Sequence, residues 1–237
     1  MLISTLQLKF NIAFQMKNTF FLLICFFGLI LSSCKQAPDS DNAVVSDAKK
    51  VSTIDNAKSY QISPNSTKIA WIGTKVSGRH NGLIDISGGN LDVANGKLVA
   101  GMFTIDMTTL ISVDAGKKLG DHLKSADFFN VAEFPTAEFE ITSVEARSFN
   151  ETQSPYEYEE HNQYKVSNPT HRVSGNLTMH GVTKNIDFPA RIEFLSQGLM
   201  AVAQFNINRK DWGIDFAGKS DDLIRDDVHI GLSLKAK

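Results

Sequence analysis

The chain has 237 residues, 42% hydrophobic and 21% charged, with a formal net charge of −2. This suits one globular domain with a real core. The lack of a basic bias excludes a nucleic-acid partner, which needs clustered Lys and Arg to displace counterions.

Phe20 to Leu31 reads FFLLICFFGLIL after Lys17. Such a run is too short for a membrane span of about 20 residues and matches the roughly 7–15 apolar residues of a signal-peptide core. Met16, with Lys17 and Asn18, offers a compact start, so residues 1–14 are read as non-structural. The run ends Leu31-Ser32-Ser33-Cys34, which resembles the lipobox of bacterial lipoproteins. Residues 1–33 would be removed and Cys34 would carry the lipid. Cleavage takes away Lys9, Lys17 and Cys25 and no acid, leaving 22 basic against 26 acidic side chains and no second cysteine for a disulfide or a zinc cluster. From Lys35 to about Lys58 the chain is polar and lacks aromatics, so residues 34–58 are expected to be a lipidated flexible tether.

Residues 59–237 form the expected domain, a succession of short runs with apolar residues at every second position. Strands are expected at 59–63, 67–76, 82–88, 97–107, 137–146 and 199–208, and in alternating runs from Val173, Ile186 and Val228. Asn95-Gly96 marks a tight hairpin, and His80-Asn81-Gly82 and His180-Gly181 also read as turns. Leu119 and Leu123, four apart among charged residues, predict a short helix over 115–125. The stretch HLKSADFFNVAEFPTAEF then crowds phenylalanines at spacings of neither helix nor strand. Asp127 is expected to cap a turn that sends Phe128 and Phe129 in different directions, with Phe134 in ordinary core. After Pro135, Phe139 and Ile141 are expected to point inward while Glu138 and Glu140 point outward. Residues 148–170 are acidic and turn-rich and read as a solvated surface loop without calcium-loop chemistry.

Many short strands with one short helix give an all-β sandwich or barrel. The runs at 98–103 and 199–203 are apolar on both faces. A barrel of about eight strands can be filled by its own side chains or hold one small ligand, and periodicity leaves both open. The six histidines never fall at metal-site spacings, and no G-x-S-x-G elbow, P-loop or H-E-x-x-H occurs. No catalytic residue, metal site or cofactor is therefore expected, and the chain is read as a non-enzyme.

Val76-Ser77-Gly78-Arg79, Ile105-Asp106-Met107, HLKSADFF…FPTAEF, VSGNLTMHGVTKNIDF, INRKDWGI at 207–214 and RDDVHIGLSL at 225–234 occur in that order. Together they resemble the YceI-like family of lipid-binding proteins across residues 59–237. The resemblance implies an all-β fold: an antiparallel, eight-stranded, extended β-barrel, lipocalin-like in form, with one short helical insertion. It also implies an elongated apolar interior holding an isoprenoid lipid, such as a polyprenyl or quinone-type species. Trp71 and Trp212 depart from the phenylalanine more usual there.

The side chains expected to meet the ligand are Trp71, Phe103, Ile105, Phe139 and Ile141 from the first strands, and Leu177, Met179, Phe188 and Phe205 from the later ones. Leu119, Leu123, Phe128 and Phe129 from the helical insertion, and Trp212, complete the set. His80, Asn81 or Arg209 could meet a headgroup, although Arg209 with Asp211 reads more simply as a structural pair. The expected partners are the apolar lipid, the membrane through the lipid anchor at Cys34, and a second copy of the chain as a homodimer. Lys35, in place of an aspartate, points to the outer membrane, with the domain in the periplasm or at the cell surface. The competing reading is a filled barrel acting as a structural or interaction module.

Overall fold

The structure is a computed structural model that describes residues 37–52, 56–147 and 162–237. The expected signal peptide, the lipidation site and residues 148–161 of the acidic loop lie outside the described residues. In chain order the elements are β1 (Val44–Asp47), β2 (Lys58–Gln61), β3 (Lys68–Lys75), β4 (Gly78–Ala94), β5 (Lys97–Ser112), α1 (Gly116–Lys124) and β6 (Thr136–Ala146). They continue as β7 (His171–Met179), β8 (Val182–Leu195), β9 (Gly198–Asn208), β10 (Gly218–Lys219) and β11 (Asp222–Ala236).

Strands β3 to β9 pair antiparallel with their neighbours in the chain. β11 then pairs with both β9 and β3, so eight strands close an antiparallel barrel with one helical insertion, as expected. β4 and β5 run 17 and 16 residues, well beyond the expected spans 82–88 and 97–107. Their ladder shifts register between Leu83 and Asp85, Ile86 and Gly88, and Asp92 and Val93. Each bulge bends the strand around the barrel and resets which side chains face inward, so one unbroken period of two cannot reveal the full length.

His80-Asn81-Gly82, expected as a turn, lies inside β4, and the chain turns instead at Val76-Ser77. Gly82 is required there by close packing: a Cβ would stand 1.8 Å from the Ile111 carbonyl oxygen and 2.5 Å from the Trp71 ring. His180-Gly181 does turn the chain, at φ 53° and 74°, and Asn95-Gly96 does so at 52° and 73°, the paired positive φ of a tight β-hairpin.

The expected tether is the main correction. β8 pairs with β9 only from Ala190 to Leu195. Nearer the helix end, residues 41–47 fill the seam between those two strands. β1 forms a four-residue ladder with β8 over Lys184–Asp187. On the β9 side, Ala43 N–H donates to Asn206 O at 2.9 Å and Asn206 N–H donates to Asp41 O at 2.8 Å. Ala43 and Val45 pack against the core. The arm then crosses the outside of β7, where Lys49 and the Asn176 amide exchange two hydrogen bonds of 2.9 and 2.7 Å. Beside it Asn185, fully buried on β8, joins Ser174, Thr142 and Asn176 in a polar network. A four-residue strand has too few positions to show a period. It forms because the parted edges of β8 and β9 present backbone donors and acceptors that need partners.

Leu91, Leu98, Leu199, Leu234 and Ala236 are buried and fill the barrel at the Asn95-Gly96 end. The opposite end, beneath α1, is packed differently.

Candidate binding cavity

Inward alternation along β5, β6, β8 and β9 brings four rings into a continuous layer across the barrel. Phe103 and Phe139 lie 5.3 Å apart, Phe139 and Phe188 5.8 Å, and Phe188 and Phe205 stack at 4.2 Å between centroids. Glu138 is exposed and Phe139 and Ile141 are buried, the alternation expected for β6. Gly175 on β7 makes room for the layer, since a Cβ there would lie 2.2 Å from Phe139 Cζ.

Above the layer, α1 lies on β5, with Gly120 against the Leu110–Ser112 backbone. Ser125, and not Asp127, ends the helix and builds the turn. Its Oγ donates to His122 O at 2.8 Å, and its carbonyl accepts from the N–H groups of Phe128 and Asn130. Asp127 instead pairs with His122 Nε2 at 3.0 Å. The turn buries Phe128 between His122 and Phe216, with centroids 5.1 and 5.0 Å away. Phe128 and Phe129 therefore converge on one cavity in place of diverging. Phe134 stands apart, edge-on to His180.

The cavity has a volume of about 160 Å³, and the atoms that face it are apolar. Trp71, Phe103, Ile105, Leu123, Phe128, Phe129, Phe139, Leu177, Met179, Phe188 and Phe205 line it. Three expected residues do not. Leu119 is only half-buried against the core cluster. Ile141 lies one inward step past Phe139, toward the filled end. Trp212 is completely buried and fixed by an Nε1–H bond to Leu177 O at 3.1 Å.

The sequence reading missed Ile69, Ile84, Met107, Leu110, Ile186 and Ile207 on the same wall. Ile69, Ile84, Met107 and Ile186 were findable, as inward positions of strands already recognised. Leu110 was not, because the shift in the β4–β5 ladder breaks its spacing from Ile105 and Met107.

Arg209 is the one charged residue on the wall among the described residues. It pairs with Asp226 at 3.4 Å and not with Asp211. Its guanidinium also donates to the Ile214 and Arg225 carbonyls. Burial lowers its pKa, opposed by Asp226 and Asp215. His80 and Asn81 do not line the cavity and hold Asp114 instead. Burial pushes the Asp114 carboxyl up, but the Asn81 N–H, His80 and Ser112 together hold it down at about 2. Among the described residues no group of three or more His, Cys, Asp or Glu could hold a metal ion.

These features define an antiparallel β-barrel with an apolar cavity beneath a helical insertion. The family model for the YceI-like domain matches residues 60–236, and the chain belongs to that family. The UPF0312 protein of Pseudomonas putida is 27% identical over 150 residues, which is 60% of this chain and 67% of that protein. The UPF0312 protein of Azotobacter vinelandii is 35% identical over 88 residues, 37% of this chain and 35% of its own. Among solved structures, Burkholderia cenocepacia BcnA is similar with a TM-score of 0.58 at 17% identity, over 74% of this chain and 99% of its own. A polyisoprenoid binding domain from Saccharophagus degradans gives 0.51 at 12% identity, over 75% and 97%. Both likenesses are of fold.

Proposed function

We propose that the domain binds an apolar lipid with a long isoprenoid-type chain inside the barrel, for carriage or sequestration in the cell envelope, as a binder and not an enzyme. The observation that carries this reading is the wholly apolar cavity between the phenylalanine layer and α1. Burial contributes about 0.8 kcal/mol per methylene, so each five-carbon unit adds a few kcal/mol without any directional partner. Likeness in fold to a polyisoprenoid binding domain supports it.

Size sets a condition. A cavity of about 150 Å³ accommodates benzene, and this one is about 160 Å³. A longer chain enters only when wall residues retreat. Leu123, Phe128 and Phe129 are the ones to do so, because α1 and its turn are not held in the barrel ladders.

Cys34 is the proposed acylation site, after removal of residues 1–33, and the outer membrane the proposed location, with the domain in the periplasm or at the cell surface. Asn206 Nδ2 donates to the Pro38 carbonyl at 3.0 Å. Four residues of chain reach at most about 14 Å, so the barrel would ride close to the bilayer and not on a long leash.

The test is native mass spectrometry of the protein purified from an envelope fraction, with organic extraction of what accompanies it. A stoichiometric isoprenoid species is the expected result. A clean protein mass, with no uptake of offered isoprenoids, would favour the filled-barrel interaction module, a reading that the packed Asn95-Gly96 half already suits.

A further inference from the structure

Both ends of the cavity are plugged. Below it lie the phenylalanine layer and the packed Asn95-Gly96 half, and at the helix end Phe128, Trp212 and Ile214 are buried. Retreat of Leu123, Phe128 and Phe129 makes room for a chain without fixing the path by which it arrives.

The wall offers a path. β8 and β9 part below Ala190 and Ala203, and the arm at 41–47 stands between them against Lys184–Asp187 on one side and Asn206 on the other. The strands it separates are those beside the cavity, which Ile186 and Phe188 of β8 and Phe205 and Ile207 of β9 line. The arm therefore closes the barrel wall at the level of the cavity.

Its two edges are held unequally. Toward β8 it has a four-residue ladder, an ion pair of Asp47 with Lys184 at 3.0 Å and, just beyond, the paired bonds of Lys49 with Asn176 on β7. Toward β9, among the described residues, its backbone bonds reach Asn206 alone, through that residue's N–H and carbonyl. The Asn206 side chain adds its bond to Pro38 O, and Ser40 Oγ donates to Tyr164 O at 2.6 Å. Little apolar surface backs these bonds, since Val44 is exposed and Ala43 and Val45 are only half-buried. β9 does not need the arm to stay in place, because its other edge is paired with β11 from Leu199 to Asn208.

We infer that the arm is a side door to the cavity, hinged on β8 and latched to β9 at Asn206, through which a lipid chain passes sideways through the wall. Neighbouring strands lie about 4.8 Å apart, so an arm swung outward leaves about two such spacings between β8 and β9. The inference rests on the lipid-binding reading and adds the route by which the lipid enters. A door changes the barrier and neither end state, so uptake and release should change together while Kd stays fixed.

Asn42 and Asn206 are bridge partners, near enough for a disulfide. Asn42→Cys/Asn206→Cys, in the protein purified from an envelope fraction and with the new disulfide mapped by peptide mass spectrometry, is compared oxidised and reduced. Farnesol is the probe. Stopped-flow tryptophan emission follows its uptake, because Trp71 lines the cavity, and its release into excess phosphatidylcholine vesicles. The oxidised form should exchange farnesol about tenfold or more slowly than the reduced form in both directions, at one Kd. Ala43→Pro, which deletes the N–H that bonds Asn206 O and leaves β9 unaltered, should quicken both steps about tenfold over wild type, as for one lost hydrogen bond. Equal rates in the oxidised and reduced forms, or a shifted Kd in Ala43→Pro without a shared gain in both rates, overturns the inference alone and sends the chain past α1. Failure of the wild-type protein to bind farnesol overturns the lipid-binding reading with it. Ala43→Pro decides the matter even where the double variant folds poorly, since it touches only the arm.

Discussion

At the scale of single residues, two positions show how little room the barrel leaves. Gly175 lets Phe139 lie across β7, and Gly175→Ala would drive a methyl into that ring. We expect a loss of about 1–3 kcal/mol, the usual range for overpacking, and a disturbed phenylalanine layer, read by urea denaturation and near-ultraviolet circular dichroism.

His229 behaves differently. It faces outward from β11 yet is buried, edge-on to the Tyr164 ring and 3.1 Å from Asn206 Oδ1. Burial lowers its pKa, so the folded state holds it neutral. The unfolded chain takes up the proton first as pH falls, so this contribution is complete above about pH 6.5 and is lost below it. His171, also lowered by burial, acts in the same window. Denaturation midpoints measured from pH 8 to 5 should fall below about pH 6.5, and His229→Gln should flatten part of that slope. An unchanged slope in the variant would remove His229 from this account.

Elements are where the seam between β8 and β9 matters. The arm at 41–47 makes backbone bonds to both strands, and Asn206 adds side-chain contacts to Pro38 and His229. A free tether exchanges its amide hydrogens at once, whereas a hydrogen-bonded stave is protected. Hydrogen exchange should show protection at Ala43 and along β1, weaker than in β4 and β5. Asn206→Ala should cost about 2 kcal/mol, because it leaves the buried Pro38 carbonyl and His229 without a partner, and should speed exchange at Ala43 most. Uniformly fast exchange over 41–47 would restore the tether expected from composition.

For the whole molecule, a ligand that binds only the folded barrel stabilises it by mass action, by about 2.7 kcal/mol at a hundredfold excess over Kd. Denaturation with and without a bound isoprenoid should show such a gain. Leu177→Asp, which places a carboxylate on the cavity wall, should abolish it while preserving the far-ultraviolet spectrum of a β protein. A folded Leu177→Asp protein that still retained the lipid would count against the interior as its site.

The sequence by itself determined the all-β class, the position of the helix and most of the inward side chains, because strand period, glycine turns and the Leu119–Leu123 spacing are local properties of the chain. It also carried the family, through ordered motifs from Val76 to the end of β11. Tertiary structure decided what depends on partners distant in sequence. Bulges hid Leu110 and the ends of β4 and β5. Ser125 won the turn from Asp127, Arg209 chose Asp226 over Asp211, and a polar stretch without period became a stave because two parted strands had unmet hydrogen bonds. Local pattern says which face of a strand is dry; only closure of the barrel says which strand edges remain open and which side chains meet across its interior.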